Sequence, residues 1–157
     1  MSKIRIMFVC HGNICRSPMA EFVFKDMLFK RGLTDRFAVC SAAVSTDEIG
    51  SPVHRGTVEK LKEKGVPFLP RRAVLLTKED YDRYDYFVGM DFHNAARMRR
   101  IFGNDEKGKV SRLLEFAGID RDVDDPWYTG DFETCYDDIT RGCAALLKKT
   151  EKNFITE

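Results

Sequence analysis

The junction between two adjoining segments limits the fold most. An apolar run, IRIMFVC at residues 4–10, leads into a polar turn, CHGNICRS at residues 10–17. The run from Ile4 to Val9 is broken only by Arg5, as suits a central strand buried on both faces. After the turn, Ser17 is expected to cap a helix with Pro18 at its first position. Ala20, Val23, Phe24, Met27 and Leu28 then fall on one helical face, and Gly32 stops it. The rest of the chain repeats this alternation. A short strand is expected over Phe37 to Ala42, then a helix opened by Ser51 or Pro52, running through Val58 and Leu61 and closed by Gly65. Tyr86 to Met90 reads as a third strand. Asp91 reads as the cap of a helix carrying Ala95, Met98 and Phe102 and ending at Gly103. A weak strand is expected near Val110 to Leu114, and a final helix carries Tyr136, Ile139, Cys143, Leu146 and Leu147. Strands alternating with helices imply an α/β fold, a doubly wound parallel sheet with helices on both faces. Functional sites in such sheets lie at the carboxyl ends of the strands, where Cys10 falls.

Composition narrows the function classes. The 157 residues suit one compact domain, residues 1–157, and 43% of them are hydrophobic, enough for a single core. Charged residues make up 32% of the chain but nearly cancel, with a formal net charge of +1, so no broad nucleic-acid or membrane-binding surface is expected. No apolar stretch approaches the roughly 20 residues that span a bilayer. IRIMFVC is too short for a secretory signal and lacks a small-residue cleavage site. The five cysteines are therefore expected to be reduced thiols in a cytoplasmic protein. With no CxxC pair and only three histidines, no metal or cofactor is expected.

The turn itself carries chemistry. Gly12 lets the backbone curl, and the free N–H groups at the start of the next helix point into the curl, forming a nest for an anion. Arg16 adds a planar fork suited to two phosphate oxygens. A cysteine at the mouth of such a positive bowl is favoured as the thiolate nucleophile. Asn13 suits a left-handed position, and Ser17 is placed to donate to the sulfur. Sulfur attack on phosphorus expels an alkoxide or phenoxide, which needs a nearby proton donor. The stretch DVDDPWYTGD, residues 122–131, offers one. Pro126 forces Asp125 into extended geometry, while Trp127 and Tyr128 are placed to wall a cleft. Asp124 is the rival carboxylate, and in an extended segment its side chain should point the other way.

The motif CHGNICRSPMAE near the N-terminus together with DDPWY near the C-terminus resembles the low-molecular-weight protein tyrosine phosphatases. The similarity continues through SAAVS at 41–45, TKED at 77–80, YDYFVGMD at 84–91 and DFETCYDDI at 131–139. The resemblance implies a four-stranded doubly wound fold, no metal, a phosphocysteine intermediate and tyrosine-phosphorylated proteins as substrates. By position, Cys10 matches the nucleophile and Arg16 the phosphate clamp, and Asp125 matches the acid that protonates the leaving tyrosine and then activates water. His11, Gly12, Asn13, Ile14, Cys15 and Ser17, with Trp127 and Tyr128, form the implied substrate-binding set. Asn13, Ser17 and Ser41 match the polar groups that support the loop.

Three positions depart from the family pattern. Pro70, Arg71 and Arg72 stand where a histidine often braces the loop asparagine, so Arg71 or Arg72 is expected to take that part. Thr46, Asp47 and Glu48 stand where an aromatic residue is common, and His11 where an aliphatic one is frequent. The rim is thus more polar on one side. Cys15 is either a packed thiol or a redox partner of Cys10, since the two lie in one loop. Cys40, Cys135 and Cys143 fall in apolar patterns and are expected in the core. His54 and His93 read as capping or surface groups, Arg97 to Arg100 as a solvated helix face, and Asp91 as a cap rather than a catalyst. Arsenate reduction is the rival chemistry, but residues 75–100 hold no cysteine for its relay. Arginine-phosphatase relatives are expected to have Thr where Ile14 stands. A non-catalytic phosphopeptide binder would need neither Cys10 nor Asp125.

Overall fold

The computed structural model describes residues 2–155. Four strands form one parallel sheet in the order β2-β1-β3-β4: β1 Ile4–Cys10, β2 Phe37–Ala43, β3 Tyr86–Gly89 and β4 Val110–Arg112. Five α-helices accompany them: α1 Arg16–Lys30, α2 Arg55–Glu63, α3 Phe92–Ile101, the single turn α4 Pro126–Thr129, and α5 Phe132–Ile155. β1 is central, with β2 and β3 as neighbours, and this explains its apolar run, broken only by Arg5. Ile6, Phe8 and Cys10 enter a core shared with α1 and α5, while Met7 and Val9 enter a second core beneath α3. Alternate side chains meet opposite faces, so a strand covered on both sides must be apolar throughout.

The chain leaves β1 toward β2 and returns on the other side of β1 to form β3, so the order reverses between β1 and β3. A crevice opens beyond the carboxyl ends of strands at such a point. Cys10 ends β1 there, and Asp91 follows β3.

Two helix starts differ from expectation. α1 begins at Arg16, with Cys15 in the capping position and no side-chain cap, so Ser17 and Pro18 already lie inside the first turn. Ser17 does not cap because its hydroxyl is engaged with the loop before it. α2 opens at Arg55 rather than at Ser51 or Pro52. Pro52 pairs with Arg72 as an isolated bridge, and His54 caps the helix by accepting from Gly56 N at Nδ1, 2.9 Å. Asp91 caps α3 as expected, accepting from Asn94 N at 2.7 Å.

Candidate active site

The loop between β1 and α1 is organised around sulfur. Cys10 Sγ lies 3.0 Å from Ser17 Oγ, and it accepts from the backbone N–H groups of Asn13 at 3.3 Å and Ser17 at 3.4 Å. Asn13 adopts φ 59°, the left-handed conformation anticipated for it. Its side chain is hydrogen-bonded on every side. Nδ2 donates to Ser17 Oγ at 2.8 Å and Ser41 Oγ at 3.0 Å, while Oδ1 accepts from Arg71 Nη2 at 2.6 Å and Val74 N at 3.1 Å. Ser17 Oγ accepts from Asn13, and its own proton is free to donate to sulfur.

Of the two candidate arginines, Arg71 braces the loop. It also reaches Ser41 Oγ and pairs with Glu21 at 2.5 Å, whereas Arg72 donates to Gly50 O on the surface. Glu21 is a buried carboxylate on α1 that accepts from Ser41 Oγ at 2.6 Å and Lys25 Nζ at 2.7 Å. Sequence reasoning missed it. A carboxylate inside an otherwise apolar helix stretch, Met19 to Phe24, was the available signal. Segment 71–76 reaches the loop because its backbone pairs with the end of β2: Ala43 N donates to Val74 O and Leu76 N to Ala43 O, both at 2.8 Å.

Arg16 points to the other wall. Its buried guanidinium donates through Nη1 to Asp91 Oδ2 at 2.8 Å and Val123 O at 2.9 Å, and Nη2 faces Asp125 Oδ2 at 3.4 Å. Burial alone would lower its pKa, but Cys10, Asp125 and Asp91 together outweigh that and raise it. Asp91 is thus a helix cap that also anchors the Arg16 guanidinium. Asp125 is extended, caps α4 by accepting from Trp127 N at 3.0 Å, and faces the loop. Asp124 is exposed and borders a separate small cleft with Thr129, Asp131, Thr134 and Cys135. The alternation expected of an extended segment holds.

A cleft of about 140 Å³ opens over this arrangement, lined by Cys10, His11, Gly12, Ile14, Cys15, Arg16, Asp47, Glu48, Asp125, Trp127 and Tyr128. Asn13 and Ser17 are absent from its wall. Their side chains turn inward, so of the expected substrate-binding set these two offer only their backbones. His11 is an exposed rim residue, 2.7 Å from Asp47 through Nε2, and that hydrogen bond holds the Asp47 carboxyl below its ordinary range. Trp127 rests edge-on against His54, which stacks on Phe132, with ring centroids 5.5 and 5.4 Å apart. A methyl group at Gly56 would run into the Phe132 ring, so this support requires glycine there. Cys15 is buried, and burial foremost pushes its thiol up to about 12. Cys135 and Cys143 lie in the core as expected, and Cys40 is half-buried against it. Arg97, Arg99 and Arg100 are exposed as expected, and Arg97 and Arg99 also donate to Val44 O and Val110 O.

Known proteins share this framework. The family model described as low molecular weight phosphotyrosine protein phosphatase matches residues 5–155. A Bacillus subtilis low molecular weight protein-tyrosine-phosphatase, YfkJ, is 39% identical over 151 residues, covering 95% of this chain and 97% of the relative. The PtpA enzyme of Staphylococcus saprophyticus is 38% identical over 92% of each chain. The crystal structure of YfkJ superposes with a TM-score of 0.94 over 98% of both chains, and that of the Streptococcus pyogenes enzyme with 0.86 at 34% identity over 98% of both. With the sulfur-centred loop, the arginine clamp and this match along nearly its whole length, the chain belongs to the low-molecular-weight protein tyrosine phosphatases, hydrolases of phosphate monoesters.

Proposed function

We propose that the protein hydrolyses phosphotyrosine in protein substrates, and aryl phosphates generally, through a phosphocysteine intermediate. One observation carries the mechanism: three hydrogen-bond donors converge on Cys10 Sγ, with Arg16 and Asp125 facing the same cleft. The amides of residues 11–17 and the Arg16 guanidinium receive the phosphoryl oxygens, a preorganised field for charge that develops during transfer. Cys10 Sγ attacks phosphorus, the bond from phosphorus to the tyrosyl oxygen breaks, and Asp125 gives that oxygen its proton. The resulting Asp125 carboxylate then takes a proton from water, the water oxygen attacks phosphorus, and the P–S bond breaks. This restores the thiolate and the protonated acid and frees inorganic phosphate. Ser17 donates to sulfur when it bears charge, and Asn13, Ser41 and Arg71 hold Ser17 in place. No metal or cofactor has a step in this scheme.

Ile14, Trp127 and Tyr128 supply apolar walls for an aromatic ring. Phosphoserine is a poor substrate in this reading, because its short arm leaves the ester oxygen too deep for Asp125 and out of contact with Trp127. The five free cysteines support a reducing, cytoplasmic setting.

The test uses aryl phosphates without added metal. Cys10→Ser should abolish turnover yet still bind vanadate. Asp125→Asn should lower kcat/KM by roughly 10²–10⁴ on phenyl phosphate, the usual span for one general acid, and far less on nitrophenyl phosphate. Normal turnover by Cys10→Ser, or a larger effect from Asp124→Asn than from Asp125→Asn, overturns the assignment.

A further inference from the structure

The segment Ile119–Asp125, which delivers the acid to the cleft, has neither helix nor strand. Its position therefore depends on tethers. Val123 is held through its backbone: its N–H donates to Met90 O at 2.9 Å, and its carbonyl accepts from Arg16 Nη1 at 2.9 Å. Arg121 is paired with Asp138 of α5, at 2.8 and 2.9 Å, and the tether to the sheet on this side is Arg112, the last residue of β4. Its guanidinium donates through Nη1 to Asp122 Oδ1 at 3.1 Å and through Nη2 to Asp120 Oδ1 at 2.5 Å. Asp122 Oδ1 also accepts from Phe92 N, 2.9 Å, at the start of α3. One carboxylate thus ties the acid-bearing segment to β4 and α3 together. Glu115 in turn holds Arg112, accepting from its backbone N–H at 2.9 Å and lying 3.5 Å from Nε.

We propose that Arg112, acting through Asp122, is a positioning residue that sets the Asp125 carboxyl over the leaving-group oxygen. The proposal rests on the reading of Asp125 as the proton donor. Asp122 precedes Asp125 by three residues, about 10 Å of extended chain, and Val123 between them is pinned on both sides of its peptide. Freedom at Asp122 therefore turns into rotation of the segment beyond Val123. Arg112 is itself largely buried, at 16% side-chain exposure, but Asp122 keeps 38% and Asp120 94%, and ion pairs with solvated partners contribute little to stability. The consequence of the pairing should appear in proton donation.

The experiment measures kcat/KM for a series of aryl phosphates, from nitrophenyl to phenyl, with wild type, Arg112→Gln, Arg112→Lys, Asp125→Asn and the double variant Arg112→Gln/Asp125→Asn. Arg112→Gln should lose about fivefold to thirtyfold on phenyl phosphate, part of the range for one general acid and in keeping with ångström-scale misplacement. On nitrophenyl phosphate, whose phenolate leaves without a proton, the loss should stay below about twofold. Arg112→Lys should fall between, because an ammonium keeps the charge without the fork. In the Asp125→Asn background, Arg112→Gln should cause no further loss. Equal losses across the series, or an additive loss in the double variant, overturn the proposal. So does an Arg112→Gln series that parallels wild type while Asp125→Asn steepens, and in that case the acid assignment stands. If Asp125→Asn itself fails to steepen the series, the acid assignment falls and takes this proposal with it. Asp122→Ala breaks the same tether from the other side and serves if Arg112→Gln does not fold.

Discussion

Replacing Arg71 with Met tests the brace beneath the catalytic loop. The substitution keeps the length of the side chain and removes its fork. Three side-chain acceptors lose a donor, Asn13 Oδ1, Ser41 Oγ and Glu21 Oε1, as do the carbonyls of Ser41 and Arg72. Glu21 is 8% exposed at its side chain and Arg71 17%, so the pair is largely screened from solvent. Breaking a buried pair by removing one member costs about 3–5 kcal/mol, because a charge is left without its partner. Glu21 retains Ser41 and Lys25, and Asn13 Oδ1 retains Val74 N, so about 2–3 kcal/mol is expected here, below that range. For a chain of this length each kcal/mol lowers Tm by about 2–4 °C, so thermal unfolding should shift down by roughly 5–10 °C. The catalytic effect follows from Asn13. Once its Oδ1 is half-released, Nδ2 orients Ser17 less firmly, and the proton aimed at Cys10 Sγ wanders. A loss of about tenfold in kcat/KM, equivalent to about 1.4 kcal/mol, is expected. Arg71→Lys should recover only part of either loss, since a point charge cannot reach Asn13 and Glu21 together. Differential scanning fluorimetry and steady-state kinetics on Arg71→Met, Glu21→Gln and the double variant give a cycle with an expected coupling of about 1–2 kcal/mol. Strict additivity, or a Tm drop under 2 °C for Arg71→Met, would refute the brace.

Two further predictions concern the cleft. Ile14 lines it and is nearly buried, so wild type should prefer phosphotyrosine to phosphoarginine, and Ile14→Thr should raise the phosphoarginine share; a wild-type efficiency ratio of phosphoarginine to phosphotyrosine above one contradicts the reading. We also propose that Cys15 resolves an oxidised Cys10: peroxide converts the Cys10 thiolate to sulfenic acid, and the Cys15 thiolate displaces hydroxide to form a disulfide that blocks the phosphate site. Because the Cys15 thiol is pushed up to about 12, its thiolate fraction, and with it the rate of capture, should rise about tenfold per pH unit across neutral pH. Mass spectrometry that finds no Cys10–Cys15 linked peptide after mild peroxide, or a capture rate flat with pH, leaves Cys15 as a packing residue.

Local chemistry alone determined a large part of this protein. The run Ile4 to Val9, broken only by Arg5, pointed to a strand covered on both faces, and the alternation after it implied the parallel sheet. Cys10, Gly12, Asn13 and Arg16 lie within seven residues, so the curled turn around the Cys10 sulfur was legible from spacing, as was the outward aim of Asp124 beside Asp125. What lay beyond reach were pairings between distant segments. Whether Arg71 or Arg72 braces Asn13 depends on the backbone pairing of residues 74–76 with Ala43, which selects the residue that faces inward. Glu21 reads as one more helical acid until Arg71 and Ser41 are brought to it from 50 and 20 residues away. Asp91 passes for a simple cap because Arg16 meets it across 75 residues. Ser17 satisfied the local rule for an N-cap, yet the pull of Asn13 and sulfur on its hydroxyl outweighed that rule. Local propensities specify backbone shape over a few residues, whereas buried charges must find partners wherever the sheet order brings them, and only the folded topology sets that order.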